Sequence, residues 1–326
     1  MLKYQLSNTT RRYRYTEQGV AHDVTLRQII ALRNIGAVRA GSAGGWVESE
    51  DNLSQQGSCW ISDQNSVVFA AARIQGDALV SGPCVISHRA LVEHHARVEN
   101  STVSHGAQIS DMASVRDALI NGECRIGGSA RILNGSQILA ARGMTADDRQ
   151  ILQIYDNATV ARSTVAHQSQ IYGNAIVNYA FIEHRAAIYG QAILEGNDIS
   201  NVWVCDCARV YGHARLIAGR GEAQIPTLRY SSEVCDNAVI QGDCLLKHRV
   251  RVCQNAVLLG GPILLDNHVV IGASARITGN VLIEDHVQVT DSARIEGFTD
   301  DRVHIFGNKT IAGVQHITRT PYYGVY

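Results

Sequence analysis

Aromatic residues make up only 6% of this chain of 326 residues, which also holds just 4 prolines and 3 methionines. A core of large rings or of adaptable Met is thereby excluded, and a hydrophobic fraction of 45% with 29 glycines leaves small and β-branched residues to fill it. That is the composition of stacked sheet, not of an ordinary globular α/β domain. An excess of one charge is missing as well: 29 Lys and Arg stand against 30 Asp and Glu, a formal net charge of −1. A nucleic-acid partner, which leaves a basic footprint, is not expected. No apolar run approaches the ~18 residues of a membrane span, and the opening MLKYQLSNTTRRYRY lacks the apolar centre of a secretion signal. These absences predict a soluble cytoplasmic protein with no membrane partner.

A disulfide frame is also absent from the pattern. Of the eight cysteines, Cys84, Cys124 and Cys244 fall where the repeat elsewhere has Ala, so they read as small core residues. Reduced thiols suit a cytoplasmic setting.

What the chain has is a period. Aliphatics run Ile74, Val80, Ile86, Val92, Val98, Val103, Ile109, Val115, Ile120, Ile126, Ile132 and Ile138, mostly six residues apart with an occasional five. Two residues before each stands a small one, as in Ala72, Ala78, Cys84 and Ala90. An α-helix cannot keep a six-residue period on one face, whereas a short strand and a turn can. The five-residue steps end at Val103 and Ile120, and later at Val165 and Ile182, each pair seventeen residues and three steps apart. Three strands therefore make one turn of a triangular parallel β-solenoid, with like positions stacked at ~4.8 Å. The aliphatic and the small residue of each hexad fill a narrow prism between the three faces.

The period resumes from Ile154 through Leu194, again at Val204, Val210 and Leu216, and then from Val234 through Leu246, Leu258, Leu264 and Ile271 to Ile295. It breaks at 139–153, 195–203 and 217–233, and loops carry function more often than scaffold does. Residues 1–52 read as an N-terminal cap of short strands, 53–296 as the solenoid, and 297–326 as a C-terminal cap, the two caps covering exposed sheet edges.

Hexads such as RVYGHARLI and QIYGNAIV resemble the repeat of the left-handed β-helix acyltransferases. The stretches GGWVESEDNLSQQGSCWI, ILQIYDNATV, NVWVCDCARVYGHARLIAG, IPTLRYSSEV and GGPILLDN extend this, so that the whole chain resembles the enterobacterial YdcK family. The resemblance implies an all-β, single-stranded left-handed parallel β-helix, an acetyl-CoA or other acyl-CoA co-substrate, and a homo-oligomer, a trimer by analogy. It also implies that one His acts as general base on a small-molecule acceptor.

The phrase VAHQSQIYGNAIV is echoed seventeen residues later by IEHRAAIYGQAIL, and the echo keeps His167 and His184 as well as the aliphatics. Both follow a third-face aliphatic by two residues, in a corner column that holds His88 and His105 and continues through Asp206, with His248 and Asp266 if Leu228 is the missing aliphatic. A corner favours residues at ease outside extended backbone, and His, Asn, Asp and Gly qualify. For His88, His105 and His248 that suffices. For His167 and His184, next to the 139–153 break, a catalytic reading stands beside it: neutral imidazole, with a reference pKa of ~6.5, can take a proton from a hydroxyl or ammonium group.

Tyr155, Tyr172, Tyr189 and Tyr211 form a ladder on the next corner, read as packing. Trp203, Asp206, Tyr211 and His213, with Arg229 and Tyr230 after the third break, are candidates for substrate or cofactor binding, Arg229 through an anionic group. Cys205 and Cys207 with a nearby His suggest a metal, but no second pair of ligands is spaced to complete four, and none is expected. Thr145 and Asp148 resemble the start of a short helical turn in a protruding arm. Three functions stay open: a CoA-dependent acyltransferase, a non-catalytic binding or assembly solenoid, and a metal site like that of the γ-class carbonic anhydrases.

Overall fold

Strands of two to four residues cannot persist alone, so each must be held by a neighbour in register. In the computed structural model, which describes residues 2–141 and 151–321, they are held by the coil before and the coil after. The chain divides into two compact units, residues 1–157 and 158–326, and each contains parallel ladders on three faces. The faces are numbered here by their inward aliphatics: Ile109 and Ile171 lie on face one, Val98 and Val177 on face two, Val103 and Val165 on face three. No helix among the described residues is long and apolar enough to cross a membrane.

In the first unit Thr102 stands beside Leu119 on face three and Gln108 beside Arg125 on face one, each pair seventeen residues apart. The inward aliphatics Val98, Val103, Ile109, Val115 and Ile120 are fully buried, and so are Ala96, Ala107 and Ala113 two residues before them. All eight cysteines are free, and burial raises the thiol pKa of Cys84, Cys124 and Cys244, that of Cys124 to about 12.

The N-terminal cap is built from longer strands than the sequence suggested. Tyr4–Glu17 and Val20–Ala31 form an antiparallel hairpin, turned at Gln18 and Gly19 with φ of 49° and 79°. Positive φ at two central residues gives the turn whose twist matches its strands. The second strand pairs antiparallel with Ala43–Val47, which already runs parallel to Val67–Val68, so the ladder begins ahead of residue 53. The buried Lys3 ammonium donates to the Cys59 carbonyl at 2.9 Å and meets its Sγ at 3.0 Å. The Tyr4 hydroxyl donates to the Leu53 carbonyl at 2.7 Å.

In the second unit face three runs through Val165, Ile182, Val204, Leu228, Leu246, Leu265, Ile283 and Ile305. Leu228 is the face-three residue that the interrupted period required. Leu264 is not inward: Leu265 is fully buried beside Leu246, because Gly260, Gly261 and Pro262 lengthen the corner by one residue. A slip of one residue exchanges the faces of a strand, and here it would expose Ile263 and Leu265. Residues beyond 296 are not only a cap, since Val303–Phe306, Thr310–Ile311 and His316–Ile317 add a further rung to each face.

Ala175 and Ala192, two residues before Val177 and Leu194, are fully buried. Ala175→Leu or Ala192→Leu is expected to overpack the prism and to cost about 1–3 kcal/mol or more. Urea denaturation measures this, and unchanged stability in both variants would refute the inward Ala column.

Candidate active site

A chain that turns a corner in two or three residues has to leave extended backbone, and the column two residues past face three does so with left-handed φ. The values are 59° at His167, 51° at His184, 55° at Asp206, 50° at Tyr230 and 52° at His248. His, Asp and Asn tolerate this region better than most side chains. Backbone preference thus accounts for the residue types at the corner, and contacts distinguish one histidine from another.

His167 and His184 stack with ring centroids 4.2 Å apart and planes 14° from parallel. Glu183, the residue between Ile182 and His184, turns its carboxylate to the Nδ1 edge of both. Its Oε2 lies 3.5 Å from His184 Nδ1 and 3.9 Å from His167 Nδ1. The Glu183 side chain is only 14% exposed, and Trp203 Nε1 donates to its other oxygen at 3.2 Å. Asp206 Oδ1 stands 3.8 Å from His184 Nδ1 on the far side. Arg229 Nε donates to Asp206 Oδ2 at 3.1 Å, and its guanidinium lies over the rings of Tyr230 and Trp203, 4.8 and 5.8 Å from their centroids. The bond to Asp206 raises the Arg229 pKa.

Six of the expected site residues therefore form one constellation: His167, His184, Trp203, Asp206, Arg229 and Tyr230. Two do not belong to it. Tyr211 follows face one and stacks on Tyr189, which stacks on Tyr172, at 4.9 and 4.8 Å. Glycines at 173, 190 and 212, with φ near 72–74°, make that corner, and a Cβ on Gly173 would meet the Gly190 carbonyl at 2.8 Å. The Tyr211 hydroxyl reaches Glu233 at 3.4 Å, and burial raises its pKa. His213 is exposed on this same corner. Asp266 leaves the His column because Leu265 points inward, and Asn267 takes that place with φ of 58°. Asp266 instead binds His248 Nδ1 at 2.6 Å and Lys247 at 3.3 Å. Thr145 and Asp148 lie outside the described residues.

Cys205 is buried and its thiol is pushed up to about 12 by burial and then by Asp206, while Cys207 sits past the bend at φ 64° and half-exposed.

Glu183 escaped the sequence reading, although the two copies of the repeated phrase differ there, with Ala166 one coil earlier in its place. The small side chain below leaves room for a carboxylate to reach both rings. A second such group stands in the first unit. His88 and His105 stack at 4.6 Å and 1°, with Glu17 oxygens 3.4 and 3.9 Å from their Nε2 atoms. Tyr15 and Phe69 cover His88 edge-on. Glu17 arrives from the hairpin, and no local sequence signal ties it to these histidines.

In each group the His and Glu donor atoms lie within 4.8 Å of one another, as a metal site requires. The ring planes oppose it. An imidazole lone pair lies in its ring plane, so an ion midway between two parallel stacked rings is out of plane for both. The donors as placed suit proton transfer better than coordination.

The YdcK Beta solenoid repeat family matches residues 152–168 and 169–185, the two coils that carry His167 and His184. Over 325 residues the chain is 50% identical to the Uncharacterized acetyltransferase YdcK of Escherichia coli (strain K12), covering 100% of both. Identity of that extent along the whole of both chains, on a solenoid with this repeat, makes the chain a member of the YdcK family.

Proposed function

We propose that this protein is an acyltransferase that moves an acetyl or other acyl group from acyl-CoA to the hydroxyl or amine of a small acceptor, with His184 as general base. The observation that carries the reading is the Glu183 carboxylate at the Nδ1 edge of the paired imidazoles. With the proton on Nδ1, the edge that faces the Glu183 carboxylate, the lone pair is on Nε2, the tautomer a base needs. His184 is chosen over His167 because its side chain is 53% exposed and also faces Asp206, whereas His167 Nδ1 is buried without a hydrogen-bond partner among the described residues.

In this reading His184 Nε2 takes the acceptor proton as the acceptor attacks the thioester carbonyl, and the imidazolium returns it to the departing thiolate. The proton is conserved and the C–S bond is exchanged for C–O or C–N. Glu183 and Asp206 stabilise the transient imidazolium, and Arg229 holds Asp206 in place. His167 supports the His184 ring from below. The reading places the reaction in the cytoplasm, in keeping with eight free thiols.

An open corner needs a second wall to exclude water, and a neighbouring copy in a homo-oligomer supplies it, a trimer by analogy with other hexapeptide acyltransferases. A second reading, a scaffold without chemistry, draws support from the Glu17, His88 and His105 group, where the same arrangement serves to pin a hairpin.

Acyl-CoA consumption with a panel of amines and alcohols separates these readings. His184→Asn is expected to lower the rate by ~10²–10⁴ with little change in melting temperature. Glu183→Gln is expected to lower it less, and His95→Asn, an exposed histidine of the first unit, not at all. Equal rates in wild type, His167→Asn and His184→Asn would give the scaffold reading the lead. Sedimentation at micromolar concentration is expected to show an oligomer, and a clean monomer would remove the composite site. Metal analysis of protein purified without chelator is expected to find far less than one zinc per chain, since the stacked rings do not aim at a common point.

A further inference from the structure

Around the corner from this site, face one of the second unit carries an unbalanced charge. Its outward row is Arg209, Glu233, Arg251 and Val270, paired in register on successive rungs. The adjoining corner adds Cys207, Ser231, Arg249 and His268, each one residue past the column of Asp206, Tyr230, His248 and Asn267. These side chains line a groove of about 430 Å³. Three guanidiniums and an imidazole thus face one carboxylate.

That carboxylate is already engaged. Glu233 stands 3.7 Å from Arg209 through one oxygen and accepts from the Tyr211 hydroxyl at 3.4 Å through the other. Arg251 reaches only the Cys235 sulfur, at 3.9 Å, and Arg249 has no side-chain partner among the described residues. Both are exposed at the groove, two residues apart on one rung with Val250 buried between them, where like charges repel. An anion between them would relieve that repulsion. Guanidinium forks match phosphate oxygens in bidentate geometry. The span from Arg209 to Arg251 is two rungs, ~10 Å, more than one phosphoryl group fills.

We propose that this groove binds the diphosphate of a phosphorylated nucleotide, with Arg249 and Arg251 as its principal ligands and Arg209 and His268 at its ends. The identity of that nucleotide as the acyl carrier rests on the function proposed above; the anion site itself does not. His184, Asp206, Tyr230 and His248 occupy successive rungs, so the middle of the groove lies two to three rungs, ~10–14 Å, along the axis from His184. A carrier held there by its phosphates reaches the base only through an extended arm, which is how a thioester on CoA is presented.

Calorimetric titration of the full chain with CoA, ADP and phosphate-free pantetheine tests this. CoA is expected to bind, ADP to bind more weakly, and pantetheine to give no measurable heat. Arg249→Gln with Arg251→Gln is expected to weaken CoA and ADP by roughly tenfold or more and to flatten the salt dependence of binding. Arg249→Lys with Arg251→Lys, which keeps the charge and loses the forks, is expected to fall between. Arg73→Gln, on face one of the first unit, is the control, and unchanged melting temperatures show that the variants fold. Unaltered CoA affinity in the double Gln variant overturns the groove while leaving the acyl-donor reading intact, and absence of binding by both CoA and ADP also overturns it. Arginine-dependent binding of ADP without binding of CoA upholds the groove and removes CoA as the donor.

Discussion

Everything in this protein depends on in-register parallel pairing between one coil and the next. Because like positions stack at ~4.8 Å, a residue chosen for one coil meets its counterpart in the next, and the sequence is constrained by columns as much as by neighbours along the chain. Inside, the columns are aliphatic and Ala, packed in a prism that leaves no room for a second layer. Outside, the same rule makes pairs of rings: His on His, Tyr on Tyr, and Tyr230 on His248 at 4.7 Å. The candidate base and its support are therefore by-products of a folding rule, set apart where a carboxylate joins them.

The fold was legible because the inward pattern is strict and its steps count the faces. It was lost where corners change length. Leu264 took the place of Leu265 in the reading because the Gly260–Pro262 corner holds one residue more than the period allows. The last coil was hidden for a similar reason, since Ile283 and Ile305 are paired across twenty-two residues. Neither loss reflects a weak core; Leu265, Ile283 and Ile305 are all fully buried.

The geometry of the candidate site was half legible. A column can be read from spacing, so His167, His184 and Asp206 were found, and Trp203, Arg229 and Tyr230 followed from their place beside the breaks. Tyr211 and His213 belong to another corner, a distinction that chain distance conceals. Glu183 needed the comparison of two copies residue by residue, and Glu17 needed the hairpin's path, which no period encodes. The Arg groove draws on side chains from four rungs, each ordinary alone.

The blunt end of such a ladder is a template on which another chain could add its own strand. Here the antiparallel hairpin extends face three, and its outermost strand, Tyr4–Glu17, bears Arg11, Arg12 and Arg14, with Asp23 answering the last two. Beneath it the buried Lys3 ammonium is tied to carbonyls of the first coil. A second solenoid approaching end-on meets guanidinium charge and a lysine that cannot leave without losing its hydrogen bonds. The same hairpin that closes the prism thus guards the protein against growing into a fibre.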